Sequence, residues 1–154
     1  MRRVVVTGLG TINSTGHSVE ESFNAVVNGV CGIDTITLFD ISDFSVQIAG
    51  EVKNFNPETV MDKKEVKKAD RFIQLGIKAA LEAMIDSGYV TQEDKKVDAS
   101  IADRFGMISG SGIGGLSTIE RNSVVCETKG SRKVSPFFIP SSLANMLSGF
   151  ISIE

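Results

Sequence analysis

Between Phe105 and Leu116 the chain reads Phe-Gly-Met-Ile-Ser-Gly-Ser-Gly-Ile-Gly-Gly-Leu, and no other stretch limits its possible folds so tightly. The apolar run Phe105 to Ile108 is short and bounded, which predicts a buried strand. Gly110, Gly112, Gly114 and Gly115 then leave the backbone almost bare. Glycine is costly in a regular element, so four within six residues predict positive φ angles or very close approach by another group. From Leu116 through Ile119 helical spacing resumes. A strand that runs into a bare loop and then a helix places the loop at the carboxyl edge of a sheet, where α/β folds hold their ligands.

At 154 residues the chain fits one domain and buries a genuine core. Its formal net charge of -3 speaks against general nucleic-acid binding, which favours basic domains. No apolar run approaches the roughly 20 residues that span a bilayer, so no membrane partner is expected. The amino terminus carries Arg2 and Arg3, but the apolar run after them is too short for a signal peptide. The two cysteines, Cys31 and Cys126, lie far apart in no recognisable framework. Reduced thiols in a cytoplasmic protein are the expectation.

Taken in order, strand and helix alternate. Arg3 to Thr7 predicts a first strand, ending in Gly8-Leu9-Gly10. Ser18-Val-Glu-Glu21 predicts a helix amino terminus, the Ser18 hydroxyl accepting from the Glu21 amide while the Glu21 carboxylate reaches back. Val19, Phe23, Val26, Val27 and Val30 fall on one face, and Asn28-Gly29 closes the helix. Residues 32 to 45 predict an ordered connection, and the alternation from Val46 to Val52 a half-exposed strand. Asp62 and Glu65 form an aspartate version of the capping box. Val66, Ala69, Ile73, Ile77, Ala80 and Met84 extend that helix to Ser87-Gly88. Its small residues Gly76, Ala79, Ala80 and Ala83 predict close packing against another element. Residues 91 to 103 are a polar surface connection, and a further helix runs from Leu116 to about Lys129, with Gly130 as its stop. Ser135-Pro-Phe-Phe-Ile-Pro140 is apolar but bracketed by prolines, which excludes an ordinary central strand. The last segment, Leu143 to Ile153, breaks off within an apolar pattern without punctuation, so a truncated chain is expected; a short natural protein ending on an edge strand is the alternative.

Reacting groups are scarce. His17 is the only histidine and sits in a loop beside Gly16, where a solvated polar role is expected. Metal sites need three or four ligands, some closely spaced, and none is predicted. Cys126 reads as a packing or surface thiol on a helix face, with Glu127 working against a lowered pKa; Cys31 reads as packing. The dinucleotide fingerprint Gly-x-Gly-x-x-Gly fails at Gly8 and Gly10, where Asn13 stands in the third position. It fits formally at Gly110, Gly112 and Gly115, but the acidic ribose partner about twenty residues later is missing. A nucleotide-binding α/β domain therefore remains open, beside tight packing of the glycines under a substrate channel or against a partner. Lys63, Lys64, Lys67 and Lys68 crowd the start of the second helix against its dipole, and Arg132-Lys133 form a second basic spot. Both read either as solvated ends or as a docking patch for an acidic partner.

Val4-Val-Val-Thr-Gly-Leu-Gly10, Ile48-Ala-Gly-Glu-Val52, Asp70-Arg-Phe-Ile-Gln74, Gly110-Ser-Gly-Ile-Gly-Gly-Leu116 and Ser135-Pro-Phe-Phe-Ile-Pro140 together resemble the amino-terminal part of the bacterial β-ketoacyl-acyl carrier protein synthase II family. The resemblance runs in order over essentially the whole chain; Thr11 to Thr15 and Glu93 to Asp103 depart from the family's wording. It implies an α/β, thiolase-like fold, layered α-β-α-β-α in the full enzyme, of which this chain covers most of the first half. It implies an acyltransferase of fatty-acid synthesis that condenses acyl chains with malonyl-acyl carrier protein. Its partners are acyl carrier protein and a second copy of itself, and it needs no cofactor and no metal. In the family a cysteine thiolate takes the acyl group and two histidines support decarboxylation. None of Cys31, Cys126 and His17 matches those motifs, so residues 1 to 154 form one domain that stops before the catalytic cysteine and is inactive alone. By position Ile113 matches the residue gating the acyl pocket, and Phe138 the aromatic that lines the partner's pocket across the two-fold interface. Lys64, Lys67, Lys68, Arg132 and Lys133 match the surface that receives the carrier protein. A noncatalytic subunit of the same fold, as in chain-length factors, or a dimerising or carrier-binding module, is the alternative.

Overall fold

The computed structural model describes residues 2–153. In chain order these form α1 (Val19–Val27), β1 (Asp34–Thr35), β2 (Ile48–Ala49), α2 (Lys63–Val66), α3 (Arg71–Asp86), α4 (Leu116–Lys129), α5 (Phe138–Ser142) and α6 (Met146–Ile153). Single 3-10 turns occur at Pro57–Thr59, Ala102–Arg104 and Ser131–Lys133.

The molecule is built around α3. Ile73 and Ile77 lie one turn apart on its inner face and are 0% and 4% exposed. Burying each side chain is worth about 1.5–3 kcal/mol against leaving it in water. Val60, Met61, Ala69 and Leu147 complete the cluster, with Phe55, Phe72 and Phe150 packed against it. The small residues of α3 admit neighbours on two sides. A Cβ on Gly76 would stand 2.5 Å from Leu147 Cδ1, so α6 lies directly on the helix. On the other side Gly8 and Gly10 press onto Ala83 and Ala79, where an added Cβ would meet their carbonyl oxygens at 2.2 and 2.0 Å. Carboxylates of α3 then take the amides of that segment: Leu9 N donates to Asp86 Oδ2 at 2.8 Å and Thr11 N to Glu82 Oε2 at 3.2 Å. Glu82 also accepts from Val19 N at 2.7 Å, which joins the start of α1 to α3.

The caps follow the sequence at α1. Glu21 N donates to Ser18 Oγ at 3.1 Å, and the Glu21 carboxylate reaches back to His17 N at 2.7 Å. Gly29, Gly88 and Gly130 sit after α1, α3 and α4 with positive φ of 68°, 78° and 84°, which glycine adopts without steric cost.

Several expectations are corrected. The helix foreseen from Asp62 to Ser87 is two helices, α2 and α3, separated at residues 67 to 70. Asp62 makes no side-chain cap, and Glu65 pairs with Lys68 at 2.6 Å instead of reaching back. Like charges at Lys63, Lys64, Lys67 and Lys68 disfavour a continuous helix, and Gln74 Nε2 donates to the carbonyls of Val66 and Ala69 at 3.2 and 3.0 Å. Arg3–Thr7 and Phe105–Ile108 form no strand, and Val4 and Ile108 are both 95% exposed. A ladder needs a second strand, which β-branched composition cannot supply by itself. The strand foreseen over Val46–Val52 shrinks to Ile48–Ala49, paired antiparallel with Asp34–Thr35. The apolar stripe of α1 is open, with Phe23, Val26 and Val27 all exposed, and Cys31 is exposed rather than packed.

Candidate functional site

The glycine loop of residues 109 to 115 is held at both ends and behind. At its start, Ser109 Oγ and Ser148 Oγ of α6 lie 2.7 Å apart. At its end, Gly115 N donates to Ser142 O at 2.9 Å, and a Cβ on Gly115 would stand 2.6 Å from Ser141 O. Gly114 takes φ 82° and would bring a Cβ to 2.5 Å from Ser142 O. Both glycines are thus demanded by the close approach of α5, and a phosphate would find no space against them. Gly110 and Gly112 have nothing within 4 Å of an added Cβ. Ile113 stands between the packed and the open glycines and is 65% exposed.

Behind the loop lies Asp70, 8% exposed. It precedes α3 in the extended conformation of a cap residue, yet makes no cap for its own helix. Its carboxylate accepts from Thr118 N at 2.9 Å, in the first turn of α4, where unpaired amides and the helix dipole favour an anion. Oδ2 would lie 3.1 Å from a Cβ on Gly115, so the bare backbone lets the carboxylate reach that turn. Asn122 of α4 is buried and accepts from Ser135 N at 3.0 Å, fastening the proline-bracketed segment. Ser141 Oγ of α5 donates to Lys68 O.

Phe138 opens α5 and is half-buried. α5 therefore carries Phe138 at one end while its other end bonds to the loop that carries Ile113. The proline-bracketed segment forms no strand, as its composition requires.

The basic residues separate into two kinds. Lys64, Lys67, Arg132 and Lys133 are exposed, and Lys67 and Lys133 line the same cleft of about 1410 Å³. Lys68 is instead tied to Glu65, and its Nζ lies 5.6 Å over the Phe137 ring. Arg71 shares the cleft, stacks 5.0 Å from Phe55 and donates to Val52 O at 3.2 Å; partial burial lowers its pKa. A cleft of about 720 Å³ beside Phe23 and Leu81 and a polar one of about 360 Å³ beside His17 and Cys31 lie elsewhere. Neither Ile113 nor Phe138 lines any of these three clefts. His17 faces Phe55 edge-on at 6.0 Å. Among the described residues no group of three or more His, Cys, Asp and Glu is placed to hold a metal ion, and no helix is long and apolar enough to cross a membrane.

Sequence reasoning missed Asp70 and Glu82. Asp70 fell inside the helix foreseen from Asp62 to Ser87 and in the Asp70–Gln74 motif, and nothing local says that its carboxylate serves a different helix 48 positions later.

The backbone follows the α/β, thiolase-like fold of ketosynthase chains. A solved ketosynthase/chain length factor for ishigamide superposes with a TM-score of 0.80 and 28% identity, covering 99% of this chain and 37% of that one. A β-ketoacyl synthase from Burkholderia phymatum matches with a TM-score of 0.79 at 22% identity, which speaks to fold alone. The family model for the β-ketoacyl synthase N-terminal domain matches residues 1–154, and the chain belongs to that family. Among curated relatives, 3-oxoacyl-[acyl-carrier-protein] synthase 2 of Vibrio cholerae is 47% identical over 152 residues, and that of Coxiella burnetii 43% identical over 153. Each alignment covers 99% of this chain but 35% and 36% of the relative, so the chain spans about a third of their length.

Proposed function

We propose that the chain is the amino-terminal third of a cytoplasmic, homodimeric 3-oxoacyl-acyl carrier protein synthase of fatty-acid biosynthesis. The observation that carries this reading is identity of 43–47% with relatives bearing that name, across 99% of the chain. An acyl group passes from its carrier thioester to a cysteine thiolate of the enzyme, releasing the carrier thiol. Malonyl-carrier protein loses carbon dioxide, and the resulting carbanion attacks the acyl-enzyme. A carbon–carbon bond forms, the enzyme thioester breaks, and 3-oxoacyl-carrier protein leaves. The cysteine and the histidines of this chemistry belong to the remaining two thirds, so residues 1 to 154 alone are inactive. Their contribution is the acyl-pocket wall at Ile113 and Phe138 and the carrier-protein surface at Lys64, Lys67, Lys68, Arg132 and Lys133. The four exposed cations support that surface, since among the described residues none of them forms an ion pair that an acidic partner would displace; Lys68 has Glu65 to lose.

One observation favours a second reading. The ishigamide relative is a ketosynthase/chain length factor, which agrees with a noncatalytic subunit on the same fold. The full-length protein carrying these residues separates the two. Incubated with acyl- and malonyl-carrier protein, a synthase releases carbon dioxide and 3-oxoacyl-carrier protein in equal amounts. Carrier binding without carbon dioxide release would leave the second reading. Lys64→Glu with Lys67→Glu should raise the apparent KM for carrier protein roughly tenfold at low salt and less at high salt. An unchanged KM at low salt would remove the docking surface.

A further inference from the structure

The glycine loop is a specificity element only if something sets its position, and the contacts behind it identify what does. The carbonyl oxygens of Ser141 and Ser142, the Ala144 backbone and the Asp70 carboxylate converge on Gly114 and Gly115. The first two belong to α5 and move with it. Asp70 belongs to the junction ahead of α3, the helix that carries the buried Ile73 and Ile77. It ties the carboxyl end of the loop to the core from the side of α4, beside the Ser141 bond to Lys68 O and the Ser109–Ser148 contact on α6. Its oxygen accepts from Thr118 N at 2.9 Å in a buried position, where a charged acceptor is strong and screening is weak. The side chain answers to no other hydrogen-bond donor among the described residues, so its evident task is the first turn of α4. That turn begins one residue beyond Gly115, and Ile113 lies two residues before Gly115.

We propose that Asp70 is a positioning residue for acyl-chain selection: by anchoring the start of α4 it fixes the glycine loop, and with it how far Ile113 projects. This rests on the reading of Ile113 as the gate of an acyl pocket. It goes beyond that reading by assigning the gate's setting to a buried carboxylate that touches no substrate. Gly115 belongs to the same device, because a side chain there would collide with Ser141 O and crowd Asp70.

The test uses the full-length synthase that the proposed function implies, with acyl-carrier proteins of graded length as acceptors. Asp70→Asn keeps the shape and removes the charge, so it spares the fold better than Asp70→Ala. Gly115→Ala keeps the charge and displaces the loop by steric contact. Ile113→Phe is the control for the gate itself. Asp70→Asn and Gly115→Ala should each change the ratio of kcat/KM for the longest and shortest acceptors roughly tenfold, the scale of discrimination that a methylene or two carries in an apolar pocket. Amide hydrogen exchange should accelerate at residues 110 to 118 and stay unchanged over Ile73 and Ile77. A purely structural role would lower activity on all lengths alike. If Ile113→Phe shifts the profile while Asp70→Asn and Gly115→Ala leave it flat, the inference is wrong and the gate survives. If Ile113→Phe also leaves it flat, the gate reading fails and the inference fails with it.

Discussion

The two glycine loops look alike in sequence and do different work. In the first, Gly8 and Gly10 both lie on α3, and each lacks a side chain because a carbonyl oxygen occupies the space. In the second, Gly114 and Gly115 are packed in the same way against α5, but Gly110 and Gly112 face open space. The first loop is therefore a seam between the amino-terminal segment and the core. The second is half seam and half free edge, and Ile113 stands at the boundary. A glycine pattern alone does not say which kind is present; the neighbour that fills the missing side chain does.

The comparison breaks most readily at Gly10. A Cβ there would sit 2.0 Å from Ala79 O and 2.6 Å from Ala83 N, both backbone atoms of α3 that have no rotamer with which to yield. Overpacking of this kind costs typically 1–3 kcal/mol and occasionally more. Gly10→Ala should destabilise the protein by roughly 3 kcal/mol, read as a lower denaturant midpoint at unchanged slope. A loss below about 0.5 kcal/mol, the level of an ordinary surface change, would show that the first loop is no seam.

How legible this was in the sequence depends on the range of the forces involved. Local chemistry was readable: the Ser18 cap with Glu21, the glycine stops after α1, α3 and α4, and the exclusion of a strand by Pro136 and Pro140 all appear. So was the packing implied by Gly76, Ala79 and Ala83, because small residues on one helix face need a close neighbour. Strands were not. Val4 to Val6 and Phe105 to Ile108 have strand composition but remain unpaired and exposed, since pairing is settled by a partner far away in sequence. The break at residues 67 to 70 was hidden for a similar reason. It is supported by Gln74 from the following helix and by the task of Asp70 on α4. Of the site, Ile113 and Phe138 were placed by resemblance alone, and the link between the loop of one and the helix of the other emerged only in three dimensions.

Acid sharpens the comparison by acting on one side of it. The hairpin of β1 and β2, whose flanking Gly32 and Gly50 pack on Ser14 just after the first loop, depends on Glu51, buried two residues beyond β2. Its carboxylate accepts from Thr37 N at 3.0 Å, from Thr37 Oγ1 at 2.8 Å and from Leu38 N at 3.1 Å. The Thr37 amide, then the Thr37 hydroxyl, hold its pKa below the ordinary value of 4.5. A carboxylate with a lowered folded pKa contributes stability that is fully present above its unfolded value and disappears as pH falls through the folded one. Asp34, bonded to Lys53, and Asp40, bonded to Ser42, are shifted in the same direction within this segment. Glu51→Gln should therefore be less stable than the parent near pH 6, and the gap should close as pH drops below 4.5. Denaturant titrations at stepped pH measure it. A gap that stays constant with pH would mean that the carboxylate's charge contributes nothing to the hairpin.

The smallest expected effect is the most telling for the second loop. Gly112 has no atom within 4 Å of an added Cβ and no positive φ, so neither collision nor backbone strain opposes a side chain there. Gly112→Ala should change stability by less than about 0.5 kcal/mol, with a small gain possible because alanine reduces the freedom of the unfolded chain. Gly110, equally open, should behave alike. If both substitutions leave the fold untouched in the full-length synthase but depress condensation, the open glycines are kept bare for something that approaches in function, and the free edge is where the acyl chain or a second copy passes. If stability falls by several kcal/mol instead, as with Gly10, that face is already covered in the complete protein, and both loops are seams.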